Sequence, residues 1–327
     1  MSDERTMVEA LNLALREEMD RDDNVMVLGE DVGADGGIFR VTKGLIDDFG
    51  ESRVMDTPLA EAGIVGVSVG MALAGLNPVA EMQFSGFSYF AFHQIEGHVA
   101  RMRWRSRGRF TLPLVIRMPF GGGVRALEHH SESREAYFAH TPGLRTVIPS
   151  GPRNACTLLK AAIRSPDPVI FLEPKAAYRA FREEVPEGLD PAQLDKADIR
   201  RKGADITMIS YGAMLRRTLE AAETLAEEDG VEAEVIDLPT LAPLDAETIG
   251  ASVRRTGRAV VVTEAPLSFG PAGEIAARIA EEAFVYLEAP VNRVTGWDVP
   301  MPFFAREQSY LPDARRITNA ARVTLAY

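Results

Sequence analysis

Two carboxylates, Glu61 and Glu81, lie in one of the most apolar stretches of the sequence, residues 56–90. From Glu61 onward the residues are almost all apolar, with glycines between them, which predicts a helix that is buried on every face. A buried carboxyl group either finds a partner or takes up a proton. A protonated glutamate can donate to a ring nitrogen of a bound cofactor. The residue types leave a simpler interpretation open, in which Glu61 only stabilises the start of a helix.

Two adjacent histidines, His129 and His130, follow the glycine-rich turn at 119–123. Neighbouring residues point in different directions on a helix or a strand, and neither an H-x-x-x-H spacing nor a cysteine partner accompanies them. This pattern disfavours a zinc site and favours general acid–base chemistry, because imidazole titrates near neutrality. The single cysteine, Cys156, excludes an internal disulfide and is expected in the core.

The elements that must position these side chains alternate between strands and helices. The predicted strands are 25–28, 53–55, 78–84, 114–117, 146–148, 168–172, 206–210, 234–238, 259–262 and 293–294. The predicted helices are 6–21, which opens with a capping box, the buried helix from residue 61, then 88–104, 154–163, 215–226, 245–253 and 272–283. Such alternation indicates an α/β protein with mainly parallel sheets. The expected domains are 1–182, a linker at 183–200, and 201–327.

Charge and composition exclude some classes of function. The net charge of −12 argues against nucleic-acid binding, which needs a basic face. The beginning, MSDERTMVEA, does not resemble a signal peptide, and no apolar run is long enough for a membrane span, so a cytoplasmic location is expected. Five arginines at alternate positions from Arg101 to Arg109 are consistent with either a solvated surface or a docking face for an acidic partner.

Several segments resemble, in the same order, the β subunits of thiamine-diphosphate-dependent 2-oxo acid dehydrogenases of the pyruvate and branched-chain type. They are GEDVG, DTPLAEAGIVG, PVAEMQFSGF, RMPFGGGVRALEHHSES, FLEPK and RVTGWDVP, and they span nearly the whole chain. The resemblance implies a pyrimidine-binding thiamine diphosphate fold followed by a transketolase C-terminal-like domain. It also implies an α₂β₂ heterotetramer with an α subunit, and contact with a lipoyl acyltransferase core.

The same resemblance implies roles for particular residues. Glu61 falls on the glutamate that hydrogen-bonds N1′ of the cofactor's pyrimidine, and His130 falls on the histidine used for proton transfer or charge stabilisation in later steps. Leu59, Gln83 and Phe87 fall on positions beside the cofactor. Many relatives have tyrosine where Phe87 stands, so a hydroxyl is lost there. Taken alone, Phe87 is an ordinary lining aromatic that could stack on the pyrimidine.

The sequence also departs from the family in informative ways. The G-D-G motif that anchors the diphosphate and Mg²⁺ does not occur, so a second chain is expected to supply it. Glu132 stands where the family often has glutamine, and its charge is expected to raise the pKa of a nearby histidine. Some relatives bind K⁺ near the positions of Leu112, Leu114 and Asp167.

Three functions stay open from the sequence. The first is the β subunit of a 2-oxo acid dehydrogenase acting on pyruvate or branched-chain substrates. The second is an acetoin dehydrogenase or another transketolase-like β subunit. The third is a non-catalytic scaffold that keeps the fold to bind partners.

Overall fold

The computed structural model describes residues 3–327 and divides into two compact units. The first unit contains the chain up to Phe120 together with Tyr137–Leu194. The second contains Gly121–Ala136 and Asp195–Tyr327. The second unit therefore takes in a segment, Gly121–Ala136, that the predicted boundaries place in the first domain.

The first unit is built on a parallel sheet. Six of its strands pair in the order Arg145–Val147, Val169–Pro174, Val115–Phe120, Asn77–Glu81, Val25–Gly29 and Val54–Asp56. Its helices are Met7–Arg21, Leu45–Phe49, Glu61–Leu73, Ser88–Gln94, Met102–Arg105 and Pro152–Ile163, and Glu4–Arg5 pairs antiparallel with Glu183–Glu184. The predicted parallel arrangement of this half is confirmed, since buried apolar strands are typical of a sheet covered on both faces.

The first helix, Met7–Arg21, begins as predicted. The Thr6 side chain accepts a hydrogen bond from the Glu9 amide at 3.4 Å, and the Glu9 carboxylate accepts one from the Thr6 amide at 2.7 Å. This capping box satisfies two amide groups that a helix start otherwise leaves unpaired. The apolar side of the helix packs against the helix Pro152–Ile163, and Cys156 lies fully buried in this core, as predicted.

The helix Glu61–Leu73 differs from its prediction. Its inner side is buried, but Val67 is 59% exposed, Leu73 is 40% exposed, and a methyl group at Gly70 would meet no other atom within 4 Å. The prediction of a helix buried on every face is therefore wrong for this chain alone. Apart from Glu61 and Ser68 this helix has no polar residues, so its sequence does not show which side its own chain covers.

Two predicted boundaries also differ. The strand expected at 78–84 ends at Glu81, because a 3₁₀ turn over Ser85–Phe87 follows it. The helix expected at 88–104 is interrupted by a π-helical turn at Ile95–Val99, which contains Gly97. Interruptions of this kind are frequent near functional sites.

The second unit has its own five-stranded sheet. The strands pair in the order Asn292–Gly296, Ala259–Pro266, Ile206–Ser210, Ala233–Asp237 and Asp198–Arg201, and only the last of these is antiparallel. The helices are Met214–Asp229, Ala246–Thr256, Pro271–Ala283, Glu307–Tyr310 and Ala314–Leu325, with a short strand at Thr240–Ala242. The short helix Glu135–Ala139 spans the boundary between the two units in the sequence. The C-terminal helix was not predicted from the sequence, although Asp313 caps it by accepting from the Arg316 amide at 2.7 Å. Across residues 3–327, no helix is both long and apolar enough to cross a membrane.

Candidate active site

Acidic residues lie at the carboxyl ends of neighbouring strands in the first unit's sheet. The strands Val25–Gly29, Val54–Asp56 and Asn77–Glu81 are in register, so that Gly29 lies beside both Asp56 and Glu81 where the strands end. Ligands of parallel α/β sheets bind at the carboxyl ends of the strands. This end of the sheet is therefore the place in the first unit where a cofactor is expected.

Glu61 is the first residue of the helix Glu61–Leu73, and only 5% of it is exposed. The preceding residue, Ala60, provides no side chain that could cap the helix. Within the described chain, no hydrogen bond joins the Glu61 carboxyl to any other group. The Glu61 carboxyl is therefore available to bind a ligand.

Two further acidic residues, Glu30 and Asp31, interact with the site candidates Glu61 and Gln83. Burial raises the pKa of Glu30, and the negative charges of Glu61 and Asp31 raise it further. The Gln83 amide donates a hydrogen bond to the Asp31 carboxylate at 3.0 Å. This bond uses one of the two amide N–H donors of Gln83 and orients the side chain, which leaves the carbonyl oxygen as an acceptor.

The two apolar site candidates differ in their surroundings. The Phe87 ring lies edge-on to Phe84, with 5.6 Å between the ring centroids, and Phe84 packs in the same way on Phe39 at 5.5 Å. This chain of aromatic contacts restricts the orientation of the Phe87 ring. Leu59, by contrast, is 77% exposed, although it lies only two residues before Glu61.

Glu81, the second carboxylate noticed in the sequence, belongs to a buried ionic network. Arg117 donates to Glu81 at 2.6 Å and to both oxygens of Glu173 at 2.7 and 2.9 Å, and the Tyr178 hydroxyl donates to Glu173 at 2.6 Å. Burial raises the pKa of Glu81, against the opposing effect of Arg117. The sequence reasoning missed Arg117, Glu173 and Tyr178; the available signal was an arginine inside a buried strand, which requires acidic partners.

His130 belongs to the second unit, whereas Glu61, Leu59, Gln83 and Phe87 belong to the first. Its ring lies beside that of His129, with 4.1 Å between the centroids. Glu132, which was expected to act on a histidine, is paired with the Arg134 guanidinium at 2.6 Å. Burial nevertheless raises the pKa of Glu132, with His129 acting in the opposite direction.

The residues suggested for K⁺ binding lie close together in the first unit. The Leu112 amide donates to the Pro166 carbonyl at 3.0 Å, and the Leu114 carbonyl accepts from the Val169 amide at 2.9 Å. The Asp167 carboxylate is bound by Arg103 at 2.5 Å. In the part of the chain that the structure covers, no cluster of three or more histidine, cysteine or acidic side chains could hold a metal ion. A K⁺ site built from backbone carbonyls stays a prediction.

A further acidic residue, Glu135, is fully buried in the second unit and accepts a hydrogen bond from the Tyr211 hydroxyl at 2.8 Å. Burial, assisted by the charge of Glu264, raises its pKa from 4.5 to about 7. The folded protein therefore binds more protons than the unfolded chain between those two pH values. Its free energy of unfolding should fall as the pH rises through this window, by an amount on the order of 3 kcal/mol.

Glu135→Gln keeps an acceptor for Tyr211 but removes the titration, so the variant should gain stability over the wild type as the pH rises from 5 to 8. Thermal unfolding midpoints of both proteins across this range measure the effect. An exposed substitution, Glu288→Gln, is the control. A constant difference between the Glu135→Gln and wild-type midpoints would show that Glu135 does not titrate there.

Comparisons with known proteins agree with this architecture. Residues 3–180 match the family model for the transketolase pyrimidine binding domain, and residues 195–317 match that for the transketolase C-terminal domain. A solved structure described as a split gene transketolase, inactive beta4 tetramer, has a TM-score of 0.79 and 23% identity, and the match covers 98% of each chain. The fold and its two domains thus define a protein of the transketolase class, and the predicted fold class is confirmed.

Full-length relatives narrow the class to one family. The pyruvate dehydrogenase E1 component subunit beta of Staphylococcus epidermidis is 50% identical over 322 residues, which are 98% of this chain and 99% of the relative. The same subunit of Bacillus subtilis is also 50% identical with the same coverage, and that of Acholeplasma laidlawii is 48% identical over 97% of both chains. The chain belongs to the family of pyruvate dehydrogenase E1 component beta subunits.

Proposed function

We propose that this chain is the β half of an E1 component that decarboxylates pyruvate with thiamine diphosphate, in complex with an α subunit. The observation that carries the proposal is Glu61, which is 5% exposed, begins the helix that follows the carboxyl end of the strand Val54–Asp56, and has no hydrogen-bond partner for its carboxyl in the described chain. The relatives named above support pyruvate as the first substrate to test. Branched-chain 2-oxo acids are the next candidates.

The residues at this end of the sheet fit the pyrimidine end of thiamine diphosphate. The N1′ nitrogen of that ring can accept a hydrogen bond from a protonated carboxyl, and the Glu61 carboxyl has no hydrogen-bond partner in the described chain. The restrained Phe87 ring offers a face for stacking, and Leu59 offers exposed apolar surface two residues from Glu61. Gln83 adds an amide that its hydrogen bond to Asp31 orients.

The bound cofactor would supply a carbon nucleophile and an acceptor for the electrons released by decarboxylation. This chain's contribution would be the Glu61 carboxyl, which would hold a proton in a hydrogen bond to N1′. Burial, together with the negative charges of Glu61 and Asp31, raises the pKa of Glu30 beside this site.

His130 would move a proton in the later steps, before the acyl unit passes to a lipoyl group of the acyltransferase core. Imidazole suits this role because it exchanges protons near neutral pH. The absence of a G-D-G motif from the sequence supports an α subunit that holds the diphosphate and Mg²⁺. An α₂β₂ assembly, a K⁺ ion near Leu112, Leu114 and Asp167, and a cytoplasmic location complete the proposal.

Decarboxylation by the complex of this chain with its α subunit tests the proposal. We expect turnover of pyruvate that depends on added thiamine diphosphate, with lower kcat/KM for branched-chain 2-oxo acids, and none for this chain alone. Acetoin and sugar phosphates, assayed in parallel, distinguish the other transketolase-like activities. A complex that binds no thiamine diphosphate would instead support a scaffold without catalysis.

A further inference from the structure

The segment Gly121–Ala136, which carries His130, is attached to the second unit by buried carboxylates. One of them is Glu307, which is only 1% exposed. Its oxygens accept hydrogen bonds from the Gly123 amide at 2.9 Å and from the Arg125 amide at 3.0 and 3.1 Å. Hydrogen bonds to an ionised carboxylate are stronger than those between neutral groups, so Glu307 is a firm anchor for the backbone of this segment.

Glu264 provides a second anchor at the start of the same segment. It lies in the strand Ala259–Pro266, is 3% exposed, and accepts from the Gly122 amide at 3.3 Å. Gly121 has a φ of +78°, and a Cβ there would collide with the Glu264 carboxylate. A glycine is therefore required for the backbone to approach this closely.

The other end of the segment is held by Glu135, whose carboxylate accepts from the Tyr211 hydroxyl at 2.8 Å. Tyr211 is 2% exposed and Glu135 is fully buried. Between the two ends, the Gly121 amide donates to the Glu132 carbonyl at 3.1 Å, which closes the segment into a loop. His130 lies within this closed loop, in a short 3₁₀ turn.

We propose that Glu264, Glu307 and Tyr211 are positioning residues that fix His130 for its part in the reaction. This inference rests on the proposed function, because it assumes that His130 transfers a proton. None of the three needs to touch substrate or cofactor; each acts on the backbone or the end of the loop. A displacement of about 1 Å at a reacting group can cost about 100-fold in rate, so a loop that carries such a group needs firm attachment.

The test is a double-mutant cycle on the complex with the α subunit, using Glu307→Gln, His130→Ala and both together. The glutamine keeps one acceptor oxygen but loses the other and the charge. We expect Glu307→Gln to lower kcat by about 10-fold and to leave the KM for pyruvate within about twofold. If Glu307 acts through His130, the double variant should be no slower than His130→Ala alone.

Glu274→Gln is the matched control, because Glu274 is an exposed glutamate of the same unit that pairs with Arg278. Its kcat should equal that of the wild type. Any one of three results would overturn the inference. They are an unchanged kcat in Glu307→Gln, an unchanged kcat in His130→Ala, and a kcat in the double variant that is lowered by the product of the two single effects. Failure of the proposed function is seen separately, as a wild-type complex without thiamine-dependent turnover.

If Glu307→Gln does not assemble with the α subunit, a second double-mutant cycle uses Tyr211→Phe with His130→Ala. It removes one hydroxyl from the other end of the loop and keeps the aromatic packing. We expect a decrease in kcat of about threefold, the size of one lost hydrogen bond, and again no further loss when His130→Ala is added. If the decreases in kcat from Tyr211→Phe and His130→Ala multiplied in the double variant, the inference would also be overturned.

Discussion

Replacement of Glu61 by glutamine is expected to lower thiamine-diphosphate-dependent decarboxylation by about 10²- to 10⁴-fold, the range for the loss of a positioned acid–base group. Glutamine has nearly the same shape and can still form a hydrogen bond, but it cannot hold an exchangeable proton at N1′. The measurement is kcat for pyruvate in the complex with the α subunit, at saturating cofactor. Assembly of the variant complex and the amount of cofactor bound are recorded in the same preparations.

The size of the decrease distinguishes two roles for Glu61. Loss of one ordinary hydrogen bond costs about 0.5–1.5 kcal/mol, which corresponds to about 10-fold or less. A decrease below 10-fold would therefore indicate that Glu61 only helps to bind or to begin its helix, the simpler interpretation that the sequence left open. Glu51→Gln, at an exposed position of the same unit, is the control and should retain full activity.

Replacement of Arg117 by methionine is expected to reduce the free energy of unfolding by about 3–5 kcal/mol. Methionine preserves much of the side-chain volume, but Glu81 and Glu173 then lose the cation to which they are bonded at 2.6, 2.7 and 2.9 Å. Both carboxylates are almost completely buried, so water cannot replace the guanidinium. Urea unfolding of the chain measures the change.

An exposed arginine provides the contrast. Arg278 pairs with Glu274 and Glu281 on a helix surface, and Arg278→Met should change the free energy of unfolding far less than Arg117→Met does, because surface ion pairs are screened by solvent. A second substitution, Glu173→Gln in the Arg117→Met background, should recover part of the lost stability by removing a buried charge. Equal effects of Arg117→Met and Arg278→Met would contradict a dominant contribution from the buried network.

The Arg117 network also connects stability with the site. Glu81 ends the strand Asn77–Glu81, and Gln83 follows it two residues later. A bidentate arginine holds its carboxylate partners in a defined orientation. The network is therefore well placed to fix the strand end from which the Gln83 side chain reaches Asp31.

Much of the local structure was determined by the sequence itself. The capping box at Thr6 and Glu9, the helix beginning at Glu61 and the alternation of strands and helices were all predicted correctly. Each depends on residues that are near neighbours along the chain, so their spacing alone encodes the hydrogen bonds or the buried face. The family resemblance, which comparison with full-length relatives confirms, rests in the same way on short continuous motifs.

The tertiary structure decided which groups meet. Arg117 finds Glu81 and Glu173, which are 36 and 56 residues away, and Glu307 binds the Gly123 amide from a distance of 184 residues. No periodicity in the sequence specifies such pairs, because they arise only when the strands take their order in the sheet. For the same reason the sequence could not show that the loop bearing His130 belongs to the second unit, or that one side of the helix Glu61–Leu73 is left uncovered by its own chain.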